Sequence, residues 1–192
     1  MISLTSKEIL KKDNANSNLP RIAKPLIKLF FWLGLLLVSS CVNDNEPAGG
    51  NVSLYDKLPQ FSIVMNTGET FNTQNLMGKI SLIMFFNTNC PDCQKELPVI
   101  QELWEIYAED DNVVIIPISR EEGEEEILEY WTENNLSLPF SPQENRDIYS
   151  LFAKSIIPRI YISDRNGTVV FMSGDENMPS LGKLTATIES QR

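Results

Sequence analysis

The stretch FFNTNCPDCQKELP, residues 85–98, decides how the rest of the chain is read. It opens as the end of an apolar run, Ile80 to Phe86 (ISLIMFF), uninterrupted as a strand covered on both faces should be. It closes as the start of an amphipathic helix predicted over Pro91 to Tyr107, with Leu97, Ile100, Leu103, Trp104 and Tyr107 on one face. At the junction stand Cys90 and Cys93, spaced C-x-x-C. Two cysteines at this spacing, where a strand becomes a helix, read as a redox dithiol. Two other readings are weaker. Zinc wants four ligands, and the chain offers one further cysteine, Cys41, and no histidine. An inert structural disulfide is poorly placed at such a corner, where unpaired N–H groups and the helix dipole favour a thiolate.

Working outward, short-range signals predict a strand from Phe61 to Met65, a turn at Asn66-Thr67-Gly68, a return beginning at Thr70-Phe71, and a helical turn from Asn72 to Met77. Beyond the long helix, Val113 to Ile118 reads as a second buried strand. A second helix is predicted over Glu121 to Asn134, with Ile127, Leu128 and Trp131 inward, and a third over Asp147 to Lys154. Strands at Arg159 to Ser163 and Thr168 to Met172 flank Asp164-Arg165-Asn166-Gly167, a hairpin signal. Leu181 to Glu189 closes as a helix. The fold class is therefore α/β: a thioredoxin-like order, with a central mixed β-sheet flanked by helices and a right-handed βαβ crossover.

The dithiol stretch resembles the active-site segment of the TlpA/ResA-like thioredoxin-fold thiol-disulfide oxidoreductases, a membrane-tethered family. The resemblance extends over roughly residues 58–190, including FSIVMNTGETFNTQNLMGK, IIPRIYISDRNGTVV and the final helix. It implies that Cys90 is the exposed attacking sulfur and that Cys93, one turn further in, resolves the mixed disulfide. It also implies that Glu96 moves protons at Cys93, and that Ile157-Pro158 is a cis-proline loop facing the dithiol and pairing with the substrate backbone. Asn89 and Pro91 flank the attacking cysteine and belong to the same partner-facing surface. Glu96 read without the resemblance is a solvated helix charge, and Ile157-Pro158 an ordinary trans turn. Three further features bear on the dithiol. Asn89 stands where the family usually has Trp, and Met84 stands where thioredoxin has a buried acid. Asp92 adds a negative charge beside the cysteines, which opposes thiolate formation and suits a reductant better than a strong oxidant. A peroxiredoxin is a further alternative, but its P-x-x-x-T-x-x-C motif needs Pro at Ile83 and Thr at Asn87.

The amino-terminal part carries the third cysteine. Residues 1–40 hold six Lys and Arg against Glu8 and Asp13, while the remainder holds ten basic and twenty-four acidic residues, a net charge of −14. An acidic body argues against nucleic acid. Leu29 to Val38 (LFFWLGLLLV) follows Lys24 and Lys28 and precedes small residues, the order of a secretory signal. It is too short for a membrane span of about 20 apolar residues. Val38-Ser39-Ser40-Cys41 resembles the bacterial lipobox, which implies that Cys41 is lipidated and becomes the mature N-terminus. The expected organisation is a lipoprotein signal peptide over 1–40, the lipidated Cys41 with a flexible tether over 41–57, and a thioredoxin-like domain over 58–192. By resemblance to lipoprotein sorting signals, Val42, Asp44 and Glu46 after the anchor imply an outer membrane location facing the periplasm. The acidic run from Glu121 to Glu126 reads as a solvated first helical turn.

The whole reads as a lipid-anchored envelope enzyme that exchanges disulfides with other proteins, draws electrons from an upstream dithiol protein, and needs no metal or organic cofactor. The rival reading is a non-catalytic lipoprotein that uses the thioredoxin fold as a binding module. The lack of Trp at Asn89 and of a strand acid at Met84 favours the rival; the intact cysteine pair argues against it.

Overall fold

The computed structural model describes residues 51–192. The leader, Cys41 and most of the expected tether lie outside these residues. The chain runs β1 (Ser62–Val64), β2 (Thr70–Asn72), β3 (Ile80–Phe86), α1 (Pro91–Tyr107), β4 (Val113–Ser119), α2 (Glu124–Glu133), α3 (Asp147–Phe152), β5 (Arg159–Ser163), β6 (Val169–Ser173) and α4 (Leu181–Glu189). A four-stranded sheet has the order β4-β3-β5-β6, with β3 and β4 parallel and the other neighbours antiparallel. It is the mixed sheet expected from the sequence. β1 and β2 pair as a separate antiparallel hairpin, turned at Gly68 with φ 84°.

Every residue of β3 is buried. Successive side chains of a strand point to opposite faces, so Phe85 and Phe86 anchor two different layers. Phe85 meets Tyr149 and Phe152 of α3 at centroid distances of 5.3 and 5.0 Å. Phe86 meets Trp131 of α2 at 5.3 Å. The two hydroxyls that β3 and β5 bring inside, Ser81 and Ser163, bond each other at 2.7 Å, which removes the cost of burying them. The strand that carries the dithiol is thus held on both faces, and its carboxyl end is a rigid platform.

Four expectations shift. Residues 51–57, read as the end of the tether, lie along the domain: Val52 is buried, and Tyr55 N–H donates to Val169 O at 2.8 Å. α2 begins at Glu124, because Glu121 adopts φ 59° and breaks the helical run before it starts. Leu128, expected inward, is exposed; Ile127 and Trp131 make the buried stripe of this short helix. The hairpin between β5 and β6 forms, but Gly167 alone takes positive φ. Gly167 N–H closes a turn on Asp164 O, and the register shifts between Ile162 and Ser163. That is a type I turn with a glycine bulge rather than a two-residue turn.

Candidate active site

Cys90 caps the amino end of α1 with extended backbone, and Pro91 fills the first helical position, where its missing N–H is no loss. Cys90 is half-buried and Cys93 is fully buried, and both are free thiols. The Cys90 Sγ faces Ile157 O at 3.6 Å. The Ile157–Pro158 bond is cis. Ile156, before it, has φ 72°, a conformation costly for a β-branched residue. Tyr149 Oη donates to Ile156 O at 2.7 Å and holds that loop from below. Asn89 and Pro91 are exposed on either side of Cys90, whereas Pro158 is buried, so this loop presents backbone rather than a proline ring.

Cys93 sits where burial pushes its thiol strongly up, and the backbone N–H of Asn87 and the charge of Arg120 pull partly the other way. Glu96 is 2% exposed, and its Oε1 has no hydrogen-bond partner among the described residues. Burial raises its carboxyl to about 7. The solvated-charge reading of Glu96 therefore does not apply. Asp92 is partly exposed and pairs with Lys95 at 2.7 Å, so its charge is largely offset.

The loop before Cys90 is tied down residue by residue. Asn89 N–H donates to Asn87 Oδ1 at 2.9 Å, Cys90 N–H to Asn87 O at 3.1 Å, and Gln94 Nε2 to Thr88 O at 2.7 Å. Thr88 donates from both its N–H and its hydroxyl to the carboxylate of Glu122, which is 4% exposed. Glu122 is thus no solvated helix charge but a buried acceptor. Cys90, Asn87, Asn89, Arg120, Ile156 and Ile157 line one recess of about 420 Å³. A neighbouring cleft, sharing Asn87 and Asn89, is lined by Glu121, Glu122, Glu124–Glu126 and Glu144.

Sequence reasoning brought Cys90, Cys93, Glu96 and Ile157-Pro158 to attention, and they lie at one end of the sheet. It missed Arg120, Thr88, Glu122 and Ile156. The register pairs Phe86 with Ser119, so the next residues, Asn87 and Arg120, emerge side by side at the carboxyl ends of β3 and β4. Binding sites of open α/β sheets form at such ends, which is the one signal that points to Arg120.

A family model described as the AhpC/TSA family matches residues 54–172. The thiol-disulfide oxidoreductase ResA of Bacillus cereus (strain ZK / E33L) is 27% identical over 112 residues, 58% of this chain and 64% of that protein. The thiol-disulfide oxidoreductase YkuV of Bacillus subtilis is 26% identical over 120 residues, 60% of this chain and 81% of that protein. The chain thus spans a little under two thirds of the ResA relative. Among solved structures, a candidate protein disulfide isomerase from Bacteroides thetaiotaomicron aligns with TM-score 0.70 at 24% identity, over 75% of this chain and 92% of that one. A thioredoxin-family thiol:disulfide interchange protein from Chlorobium tepidum aligns with TM-score 0.61 at 20% identity, over 73% and 98%. These likenesses establish the thioredoxin-like fold.

Proposed function

The chain belongs to the AhpC/TSA family, and on that premise we propose that it is a thiol-disulfide oxidoreductase, held at a bacterial membrane by a lipid on Cys41 and reducing disulfides of envelope proteins. One observation carries the reading: a half-exposed cysteine at a helix start faces the Ile157 carbonyl, with a second thiol buried one turn behind it. An extended substrate segment laid beside Ile157 brings its own disulfide onto Cys90. Cys90 attacks, a mixed disulfide forms, and one substrate sulfur leaves. Cys93 then gives up its proton to Glu96, attacks Cys90, and releases the second substrate sulfur. Glu96, with its carboxyl raised to about 7, is matched to a base working near neutral pH. Asn89 and Pro91, exposed beside Cys90, meet the partner.

Relatives named as thiol-disulfide oxidoreductases support this reading. Disulfide exchange is favoured over peroxide reduction because Ile83 and Asn87 occupy the positions where the peroxidase motif needs Pro and Thr. The reducing direction rests on the environment of Cys93: burial disfavours its thiolate, and strong oxidants are those whose reduced form is stabilised. Electrons reach the dithiol from another dithiol protein, with no metal or organic cofactor. The intact, correctly oriented pair argues against a purely binding role.

The test is twofold. The protein is expected to accelerate insulin reduction by dithiothreitol. Cys93→Ser is expected to accumulate mixed disulfides with envelope proteins, visible as dithiothreitol-sensitive bands. No acceleration together with no trapped species would return the chain to the binding-module reading.

A further inference from the structure

We propose that Arg120 is a positioning residue for the dithiol, its guanidinium favouring the Cys93 thiolate as that sulfur attacks. The inference deepens the exchange reading above and rests on it. The backbone of Arg120 is clamped beside the dithiol loop: its N–H donates to Phe86 O at 2.7 Å, and its carbonyl accepts from Asn87 Nδ2 at 3.3 Å. The side chain is half-buried and lines the same recess as Cys90 and Ile157. Its guanidinium carbon lies 5.4 Å from the centroid of the Tyr149 ring, whose hydroxyl holds Ile156.

Arg120 makes no ion pair among the described residues, although acidic residues follow it in the chain. Glu121 is paired with Arg146 at 2.6 Å, and Glu122 is bonded to Thr88. Arg120 Nε is buried without an acceptor. An orphaned buried donor is costly, and a redox or catalytic role is one of the reasons such a group is retained. Here the missing acceptor is an anion that exists for only part of the reaction.

The groups around Cys93 come from several elements. Cys90 stands at the start of the same helix, Asn87 presents a backbone N–H from the loop, Tyr130 faces it from α2, and Glu96 follows one turn along α1. Of these and Arg120, only Arg120 is a cation. The step it serves balances as follows. The Cys93 proton passes to Glu96; the thiolate attacks Cys90 Sγ; the Cys90–Cys93 bond forms as the Cys90–substrate bond breaks. The substrate sulfur leaves as a thiolate and takes a proton from solvent, and over the whole reaction two electrons pass from the dithiol to the substrate.

Stopped-flow reaction of the reduced full-length chain with equimolar dithiodipyridine, a neutral disulfide, separates the two steps. Every sample carries Cys41→Ser, so that only the dithiol reports. The first thiopyridone marks attack by Cys90, the second resolution by Cys93. Arg120→Gln is expected to slow the second phase relative to the first by about tenfold near neutral pH, and to move its pH profile up by about one unit. Arg120→Lys is expected to restore most of both, and Arg120→Met serves as the neutral variant if the Gln protein does not fold. A second-phase profile unchanged in the neutral variant overturns the inference. So does a slowed second phase that Arg120→Lys fails to rescue, since that is a structural effect. A wild-type protein that never releases the second equivalent overturns the exchange reading itself, and this inference with it.

Discussion

Glu96 carries its carboxyl group into the buried face of α1, where water cannot solvate a charge. Burial raises it from 4.5 to about 7. A carboxyl raised on folding favours the protonated form, so its contribution to stability is fully present below pH 4.5. That contribution is lost as pH climbs through about 7. A shift of this size corresponds to about 3 kcal/mol. Glu96→Gln keeps the shape and removes the ionisation. Its stability in urea is expected to match wild type near pH 4 and to exceed it by up to about 3 kcal/mol at pH 8. Its exchange rate is expected to fall by about a hundredfold if Glu96 takes the Cys93 proton. Equal stability at pH 8 contradicts the buried ionisation, and an unchanged rate removes Glu96 from the reaction.

At the scale of elements, two loops hold Cys90 in place. The loop after β3 and the loop after β4 are joined by Thr88 and Glu122, and Glu122 is itself fixed, its N–H donating to Gln143 O at 2.9 Å and its carbonyl accepting from Ser119 Oγ at 2.7 Å. A hydrogen bond to a carboxylate is worth about 1.5–3 kcal/mol, more than one between neutral groups. Thr88→Val removes the hydroxyl and leaves the backbone donor. It is expected to lower the urea-unfolding free energy by about 2 kcal/mol and to make Cys90 alkylation by iodoacetamide less selective over Cys93. A variant with wild-type stability would mean that Glu122 can turn to solvent. The cost arises because β3 and β4 end side by side at Phe86 and Ser119, so both loops must share one small volume.

At the scale of the molecule, an acidic domain is proposed to hang from a single lipid anchor. No helix among the described residues is long and apolar enough to cross a membrane. Membrane retention should then depend on Cys41, because acyl chains supply the apolar area that the acidic body lacks. Cys41→Ala is expected to leave the membrane fraction after a carbonate wash and to lose fatty-acid label. Retention at wild-type levels, with no label on wild type, would make the leader an uncleaved anchor.

The sequence by itself determined the strand that carries the dithiol, the helix that follows it and the closing helix. β3, α1, β5 and α4 fall on the predicted residues, because continuous apolar runs and 3.6-residue stripes are local signals. It also singled out Cys90 and Cys93 as the candidate site, since C-x-x-C at a strand-to-helix junction is local too. The edges were less legible. The start of α2 depends on Glu121 taking positive φ, so that Glu122 can turn inward to Thr88, a contact between residues 34 positions apart. Only the tertiary structure decided that Glu96 is buried rather than solvated, because either side of an amphipathic helix's margin accepts a glutamate until its neighbours are packed. Arg120 became part of the site through the parallel register of β3 and β4, which no spacing along the chain expresses. Chemistry that lies within one turn of the cysteines is written locally; the charge proposed to tune it, on Arg120, follows another strand and depends on how the sheet is assembled.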